Sequence, residues 1–425
     1  MLVARPTALE RSRRSSVSGG LPARLLTLAL ILLPVQVDTP GLTRVAPSDL
    51  IIVVLIVVSF GRMRLRQQTW SGWHTALVVL FCASALYAAL VQGLATTYGI
   101  GNKVVGLFML LATFVVFTST LDHADAVERA LRTFVKAVVV ECGALLALYL
   151  AGLVSGSGKP PFSYGGRFSG TLIDPNAWGG LLVVAFTLHL ATRSSSRPLL
   201  SGRWALATVA VLPVAIVATG SRSAWIGMGI AYLVIIVREP GRALRSVVLT
   251  TIPIVACLTA LGVSLSSLNA GSVDRTFSIT QRIVILDQGL ADFARDPVFG
   301  AGVGTFYSRH GVIVHNTPVW FLADFGLVGL VVFLGLCAWV LWRAAVVAPT
   351  AREWNRSGLV RGLVLSHIAM AGLSIGIEAF YQRHWWLVMG AIAALASPST
   401  GWSDVDDDAP ADPARTLPAA VRWAR

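Results

Sequence analysis

Apolar residues in this chain come in long unbroken runs, separated by short connections rich in Gly, Pro or basic residues. About twelve runs stand out, over residues 25–37, 48–60, 74–92, 103–120, 134–154, 175–192, 204–219, 222–237, 246–267, 317–342, 359–378 and 384–398. A helix needs roughly 20 apolar residues to cross the hydrocarbon of a bilayer. Strands of a membrane barrel would show alternation over about 10 residues instead, so continuous runs choose helices. The pattern predicts an all-α, polytopic integral membrane protein with about twelve transmembrane helices. A single membrane domain covers 25–400, between a cytoplasmic N-terminal tail, 1–24, and a cytoplasmic, disordered tail, 401–425. The first two runs are short and joined by "DTPGLTRVAPSD", which leaves room for tilt or partial re-entrance.

Composition narrows the class. The chain is 55% hydrophobic and 13% charged, about half the charge of an ordinary soluble protein. The net charge of +13 raises the question of nucleic acid, but in a membrane protein basic loops on the cytoplasmic side explain it better. With the N-terminus inside, 24 of the 34 Lys and Arg residues fall in cytoplasmic segments, at least three in each. The N-terminal arginines ahead of Leu25 imitate a signal peptide, but no small-residue cleavage site follows Val37, so the run reads as a retained span. Cys82, Cys142, Cys257 and Cys337 lie inside apolar runs without metal or redox spacing and read as small core residues.

Ten basic residues remain outside, against that bias: Arg44, Lys103, Lys159, Arg167, Arg222, Arg275, Arg282, Arg295, Arg309 and Arg383. Four of them sit in one long external loop, 268–316, between spans 9 and 10. Within it, Ile283, Leu286, Leu290 and Phe293 recur at helical spacing, which predicts an amphipathic helix on the outer face. "GAGVG" at 300–304 follows no strand and lacks the dinucleotide spacing, so it reads as a tight, flexible loop. "DVDDD" in the C-terminal tail has no surrounding domain and reads as a solvated segment.

Even-numbered spans start outside, and three of those starts carry chemistry. Span 6 opens on "LIDPNAWGG", with Asp174 as N-cap, Pro175 at the first helical position and Asn176 beside them. Span 8 opens on "ATGSRSAW", where Ser221 precedes Arg222. Span 10 opens on "HNTPVW", where Thr317 is placed to cap and Pro318 to begin the helix. A cation at a helix N-terminus is disfavoured by the macrodipole unless a bound anion compensates both. Arg222 therefore marks an anion site or pairs with an acidic neighbour or lipid headgroups. Arg282, on the loop helix, is a second clamp or a solvated arginine. His315 titrates near neutrality and suits a general base, or is an interfacial polar residue. Asn316 orients it or caps span 10. Two further groups are open: Glu141, in mid-span, is functional or a hydrogen-bond partner between helices. Glu378, Arg383 and His384 cluster at the turn between spans 11 and 12, bordering the same cavity or forming an interfacial ion pair.

Taken in order, "RFSGTLIDPNAWGG", "TGSRSAWIGM" and "QR…DPVFGAGVGTF…HNTPVWFLADFGLVGLVVF" resemble the O-antigen ligase and O-antigen polymerase superfamily, over about residues 165–345. The resemblance implies a glycosyltransferase of a bacterial cytoplasmic (inner) membrane with its active site outside. Such enzymes pass a glycan from an undecaprenyl-diphosphate carrier to an acceptor hydroxyl, inverting, without metal or other cofactor. By motif it assigns the diphosphate to Arg222 and Arg282 and the base to His315, with Asn316, Ser221, Asp174, Asn176 and Arg167 in support. Leu286 departs from the tryptophan many relatives carry after the loop arginine. The partners implied are the lipid-linked donor, membrane lipids and an acceptor that is a glycan, a lipid or a protein, with no nucleic acid. Ligase and polymerase remain alternatives. A transporter or flippase for the same lipid-linked glycan is the other class, but the chain shows no internal repeat and its charges gather on one face.

Overall fold

In the computed structural model, the residues described are 20–36, 46–59, 69–91, 93, 98–155, 160–172, 174–260, 272–398 and 400–402. Each of the twelve apolar runs contains helix among the described residues, though 32–36, 374–378 and 396–398 are turns or coil. In chain order the helices are α1 (Leu21–Ile31), α2 (Pro47–Ser59), α3 (Gly72–Leu90), α4 (Val105–Thr120, entered through a π-helical turn, Tyr98–Val104) and α5 (Ala124–Val154). A short antiparallel hairpin follows, β1 (Ser163–Tyr164) with β2 (Arg167–Phe168). Then come α6 (Pro175–Thr192), α7 (Gly202–Ala218), α8 (Arg222–Arg238), α9 (Pro240–Ala260), α10 (Ser272–Arg295) and the short α11 (Thr305–His310). The chain closes with α12 (Thr317–Glu353), α13 (Ser357–Leu373) and α14 (Arg383–Leu395). Four described stretches are long and apolar enough to cross a bilayer: Gly72–Leu90, Tyr98–Thr120, Ala124–Val154 and Thr317–Glu353. The protein is an all-α membrane protein. The tail segments 1–19 and 403–425, Arg44, Lys159 and the loop start at 268–271 lie outside the described residues, as does "DVDDD".

The centre of the bundle is α6. Nearly all of its side chains are buried, as expected of a helix apolar all round. It packs on α13 and α8, and small residues let these backbones approach. A Cβ on Gly227 of α8 would come 2.5 Å from the Ala369 carbonyl of α13, and one on Gly362 of α13 would meet Leu188 of α6 at 3.3 Å. That close approach is the means by which helices hold one another in lipid, where apolar burial alone gives no drive. Thr187 and Ser366 add a hydroxyl pair at 2.7 Å across α6 and α13.

Helix α12 is broken at Gly326 (φ 65, ψ −161), and the loop before α11 docks into the break. Ala301 and Gly302 donate to the carbonyls of Ala323 and Asp324 (3.0 and 2.9 Å), while Leu327 and Val328 donate to Pro297 and Val298 (2.8 and 3.1 Å). A Cβ at Gly300 would lie 2.3 Å from the Phe325 amide, so the glycine is required by contact as well as by its φ of +71. The side chain of Asp324 then closes the joint, accepting from the amides of Gly304 (2.9 Å) and Phe306 (3.2 Å) and from Trp320 Nε1 (2.8 Å). The "GAGVG" segment is thus a fixed, hydrogen-bonded element, and the flexible loop expected there is corrected.

The loop helix forms, as α10, but its buried face is offset from the expected one. Ile285, Gly289 and Asp292 are buried, whereas Ile283 and Leu290 are exposed. Asp292 explains the rotation: Arg295 (3.1 Å), Arg309 (3.3 Å) and His310 (3.1 Å) converge on its carboxylate and draw it inward. Of the cysteines, all four free, Cys142 is buried but Cys82 is exposed on α3, so the core reading fails for Cys82.

Candidate active site

A cavity of about 270 Å³ opens where α8, α10, the start of α12 and the turn after α13 meet. Arg222, Ser223, Arg282, His315, Asn316 and Gly376 provide its polar lining; Ile226, Ile283, Ile285, Leu286, Val314 and Ile375 provide the apolar part. Three residues singled out in the sequence, far apart along the chain, therefore share one cavity. Leu286 lines it too, where a larger aromatic side chain would take up part of its volume.

Local sequence places each side chain. At α8, Ser221 is the N-cap, its hydroxyl accepting from the Ala224 amide (3.2 Å), which puts Arg222 at the first helical position. At α12 the N-cap is Asn316, whose side-chain oxygen accepts from Val319 N at 2.9 Å. Thr317 does not cap that helix. Its hydroxyl donates to Ile377 O (3.0 Å) and accepts from Ala379 N (2.9 Å), and its amide donates to Ser374 O (2.8 Å). Asn316 Nδ2 donates to Ile375 O at 2.8 Å, and Arg282 donates to Gly376 O at 3.3 Å. The 374–379 turn is therefore the fixed wall of the cavity, holding both Arg282 and the residue after His315. The sequence pointed to this turn only through the charged Glu378, Arg383 and His384, whereas its contribution is made by backbone carbonyls.

Electrostatically the cavity is unbalanced. Arg222 and Arg282 meet no carboxylate among the described residues, and they repel each other. Burial first, and then Arg222, hold the Arg282 guanidinium below its ordinary range; Asp174 partly offsets this. Burial likewise lowers the pKa of His315, with Arg282 adding to the shift and Asp174 opposing it. The imidazole has no hydrogen-bond partner among the described residues. It is kept neutral at neutral pH with a lone pair available.

The remaining expected site residues are absent from the cavity lining. Asp174 caps α6, accepting from the amide and the side chain of Asn176 (2.9 and 3.0 Å). Asn176 Oδ1 accepts from Arg167 (3.0 Å) and Ser221 (3.0 Å), and Arg167 Nε donates to Thr219 O (2.8 Å). Arg167, Asn176 and Ser221 thus shape the α7–α8 turn and do not line the cavity. Glu141 accepts from Thr171 at 2.5 Å, a hydrogen bond from α5 to the segment before α6. The expected cluster of Glu378, Arg383 and His384 separates. Glu378 pairs with Lys103, which lies among the rings of Tyr98, Trp320 and Tyr381 at 4.5–5.1 Å. Arg383 pairs with Asp49 through 2.6 and 2.5 Å bonds, and His384 Nε2 is buried without a partner among the described residues. Sequence reading missed Lys103 as a buried cation, since of the groups that hold it only Tyr98 is near in the chain; Trp320, Glu378 and Tyr381 are more than 200 residues away.

The curated proteins searched include no match to this chain. Residues 205–334 match the family model described as O-antigen ligase, a segment that carries Arg222, Arg282, His315 and Asn316 but not the 374–379 turn that completes the cavity. That segment is 130 of the 425 residues; over it the chain is similar to the O-antigen ligases, and its long apolar helices fit a membrane protein of that kind.

Proposed function

We propose that the protein transfers a glycan from an undecaprenyl-diphosphate carrier to an acceptor hydroxyl, in the cavity between α8, α10 and α12. The observation that carries the reading is the pair of arginines without carboxylates beside a neutral, unpartnered histidine. Two cations left unpaired in a half-buried cavity are costly unless an anion completes them. A diphosphate fits, because its oxygens match the guanidinium fork and take up negative charge as it leaves. In the step, the acceptor oxygen bonds to the anomeric carbon while the bond from that carbon to the phosphate oxygen breaks. The electron pair leaves with the diphosphate, and the acceptor proton passes to His315. Attack opposite the leaving group inverts the anomeric centre. Arg222 and Arg282 supply electrostatic stabilisation where charge develops. The apolar lining, Ile226, Ile283 and Leu286, suits the first isoprene units next to the diphosphate.

The proposed orientation places this cavity outside the cytoplasmic membrane, with both termini in the cytoplasm and twelve spans in all. The test is transfer in liposomes from a purified lipid-linked glycan donor to an added acceptor. His315→Ala is expected to abolish transfer while the variant still purifies as a folded, monodisperse protein. Retained transfer would overturn the base assignment. Donor translocation without acceptor, and no transfer with it, would favour a flippase.

A further inference from the structure

We infer that Ser223 is a third anion-binding residue of the cavity, kept open by the absence of a side chain at Gly376; this rests on the diphosphate reading above. Ser221 and Ser223 flank Arg222, and the structure gives them opposite fates. The Ser221 hydroxyl is fully committed: it accepts from Ala224 N (3.2 Å) and donates to Asn176 Oδ1 (3.0 Å). Ser223 is 1% exposed, its Oγ has no hydrogen-bond partner among the described residues, and it lines the cavity. A buried hydroxyl without a partner is a standing cost of folding. It makes sense at the wall of a cavity that fills with an acceptor of hydrogen bonds.

Position adds to this. Ser223 is the second residue of α8, a helix of 17 residues, and the first backbone bond of that helix runs from Trp225 N to Ser221 O. The amides of Arg222 and Ser223 precede that bond and belong to the unpaired, positive end of the helix. Hydroxyl, amides and the Arg222 guanidinium together form a cradle for a phosphoryl group, with Arg282 facing it across the cavity.

Gly376 explains how the hydroxyl stays available. A Cβ there would lie 2.7 Å from Ser223 Oγ and 2.9 Å from Ser223 Cβ. Any side chain would force the hydroxyl aside or push back the turn whose carbonyl holds Arg282. Glycine thus serves two ends at once: the turn approaches α8 closely, and the serine hydroxyl remains free.

The test is binding of inorganic diphosphate, by competition with the lipid donor, together with transfer kinetics, in the full-length protein. Ser223→Ala is expected to weaken diphosphate inhibition about tenfold and to lower kcat between tenfold and a hundredfold, the range for one hydrogen bond to a charged group. The thermal midpoint should stay unchanged or rise, since the alanine removes an unpartnered hydroxyl. Gly376→Ala is expected to weaken inhibition similarly, and the double variant to be no weaker than either single one, because both changes remove the same contact. Unchanged diphosphate inhibition in Ser223→Ala overturns the inference, as does full additivity in the double variant. If Arg222→Met and Arg282→Met also leave inhibition unchanged, the diphosphate reading itself fails; if only Ser223→Ala does, that reading stands without the third contact.

Discussion

Arg356 and Arg222 face the same electrostatic problem and solve it in opposite ways. Each sits at a helix N-terminus, Arg356 as the residue before α13 and Arg222 as the first of α8. There the macrodipole opposes a cation. Arg356 is 1% exposed and is met by two carboxylates of α5, Asp125 and Glu128, the latter at 3.0 Å. Arg222 is met by none among the described residues, and its like charge acts on Arg282. The same division runs through the ten basic residues expected outside. Lys103, Arg295, Arg309 and Arg383 all have carboxylates, and Arg167 takes a carbonyl and an amide oxygen. Among those whose side chains are described, only Arg222 and Arg282 remain, and Arg282 takes a single carbonyl, Gly376 O at 3.3 Å. Pairing is therefore the rule among these external residues whose side chains are described, and the two that meet no carboxylate and line a cavity share the same one. That contrast, more than either residue alone, argues that the missing anion is a ligand.

The largest effect should come from breaking the paired case. Arg356→Met leaves the partly buried Asp125 facing an apolar side chain and Glu128 with Arg132 alone. Loss of one partner from a buried ion pair costs about 3–5 kcal/mol. Thermal unfolding in detergent should show a midpoint far below that of the unmodified protein. The matching change in the unpaired case, Arg222→Met, should do the reverse. It removes a cation from a helix N-terminus and from the neighbourhood of Arg282, so the midpoint should hold or rise slightly. Transfer should nonetheless fall by roughly 10²–10³, the usual effect of deleting one donor aimed at developing charge. A destabilised Arg222→Met with undiminished transfer would erase the distinction between the two arginines.

A finer probe lies between the two regions. Lys103 and Glu378 are buried and paired, yet Glu378 sits in the turn region whose carbonyls hold Arg282 and Asn316. Glu378→Gln keeps the shape and removes the charge, leaving Lys103 to the three surrounding rings. The turn should relax by well under 1 Å, enough to lower kcat roughly tenfold. The KM for the donor should change little, because both arginines remain. An unchanged kcat would mean that the turn is held well enough by Thr317 alone.

These comparisons also show what the sequence could and could not reveal. The helices were legible because lipid demands long apolar runs, and the capping of α6 by Asp174 and Pro175 because cap chemistry is local. Arg222, Arg282 and His315 were legible as separate oddities. Their assembly was not, since it depends on the 374–379 turn, which contributes carbonyl oxygens that any sequence possesses. The roles of Ser221 and Asn316 were only half legible. Both sit beside a site residue, and only the hydrogen bonds reveal that they cap helices. Ser223 could not be separated from Ser221 by pattern, because the difference between them is a partner on α6 that one has and the other lacks. The offset of the α10 face escaped for a similar reason: hydrophobic spacing cannot anticipate a buried Asp292 with three basic partners.

The smallest effect concerns the charge that does stand near the cavity. Asp174 is too far to form an ion pair with Arg282 or His315, yet it raises both, against burial and the arginines. A general base works only while neutral, so kcat/KM should fall on the acid side as His315 takes up a proton in the free enzyme. Because burial and Arg282 lower that pKa below the ordinary 6.5, the acid limb should be centred below pH 6.5. Asp174→Asn keeps an N-cap of similar quality and removes the negative charge that favours the imidazolium. The sign is then fixed: the limb moves further down, while Arg282→Gln, which removes a repelling cation, moves it up in whatever transfer remains. A limb that moves up in Asp174→Asn would mean that the titrating group is not His315. A limb unmoved in both variants would place the base outside the field of these two charges, and the cavity would lose its acid–base assignment while keeping its anion site.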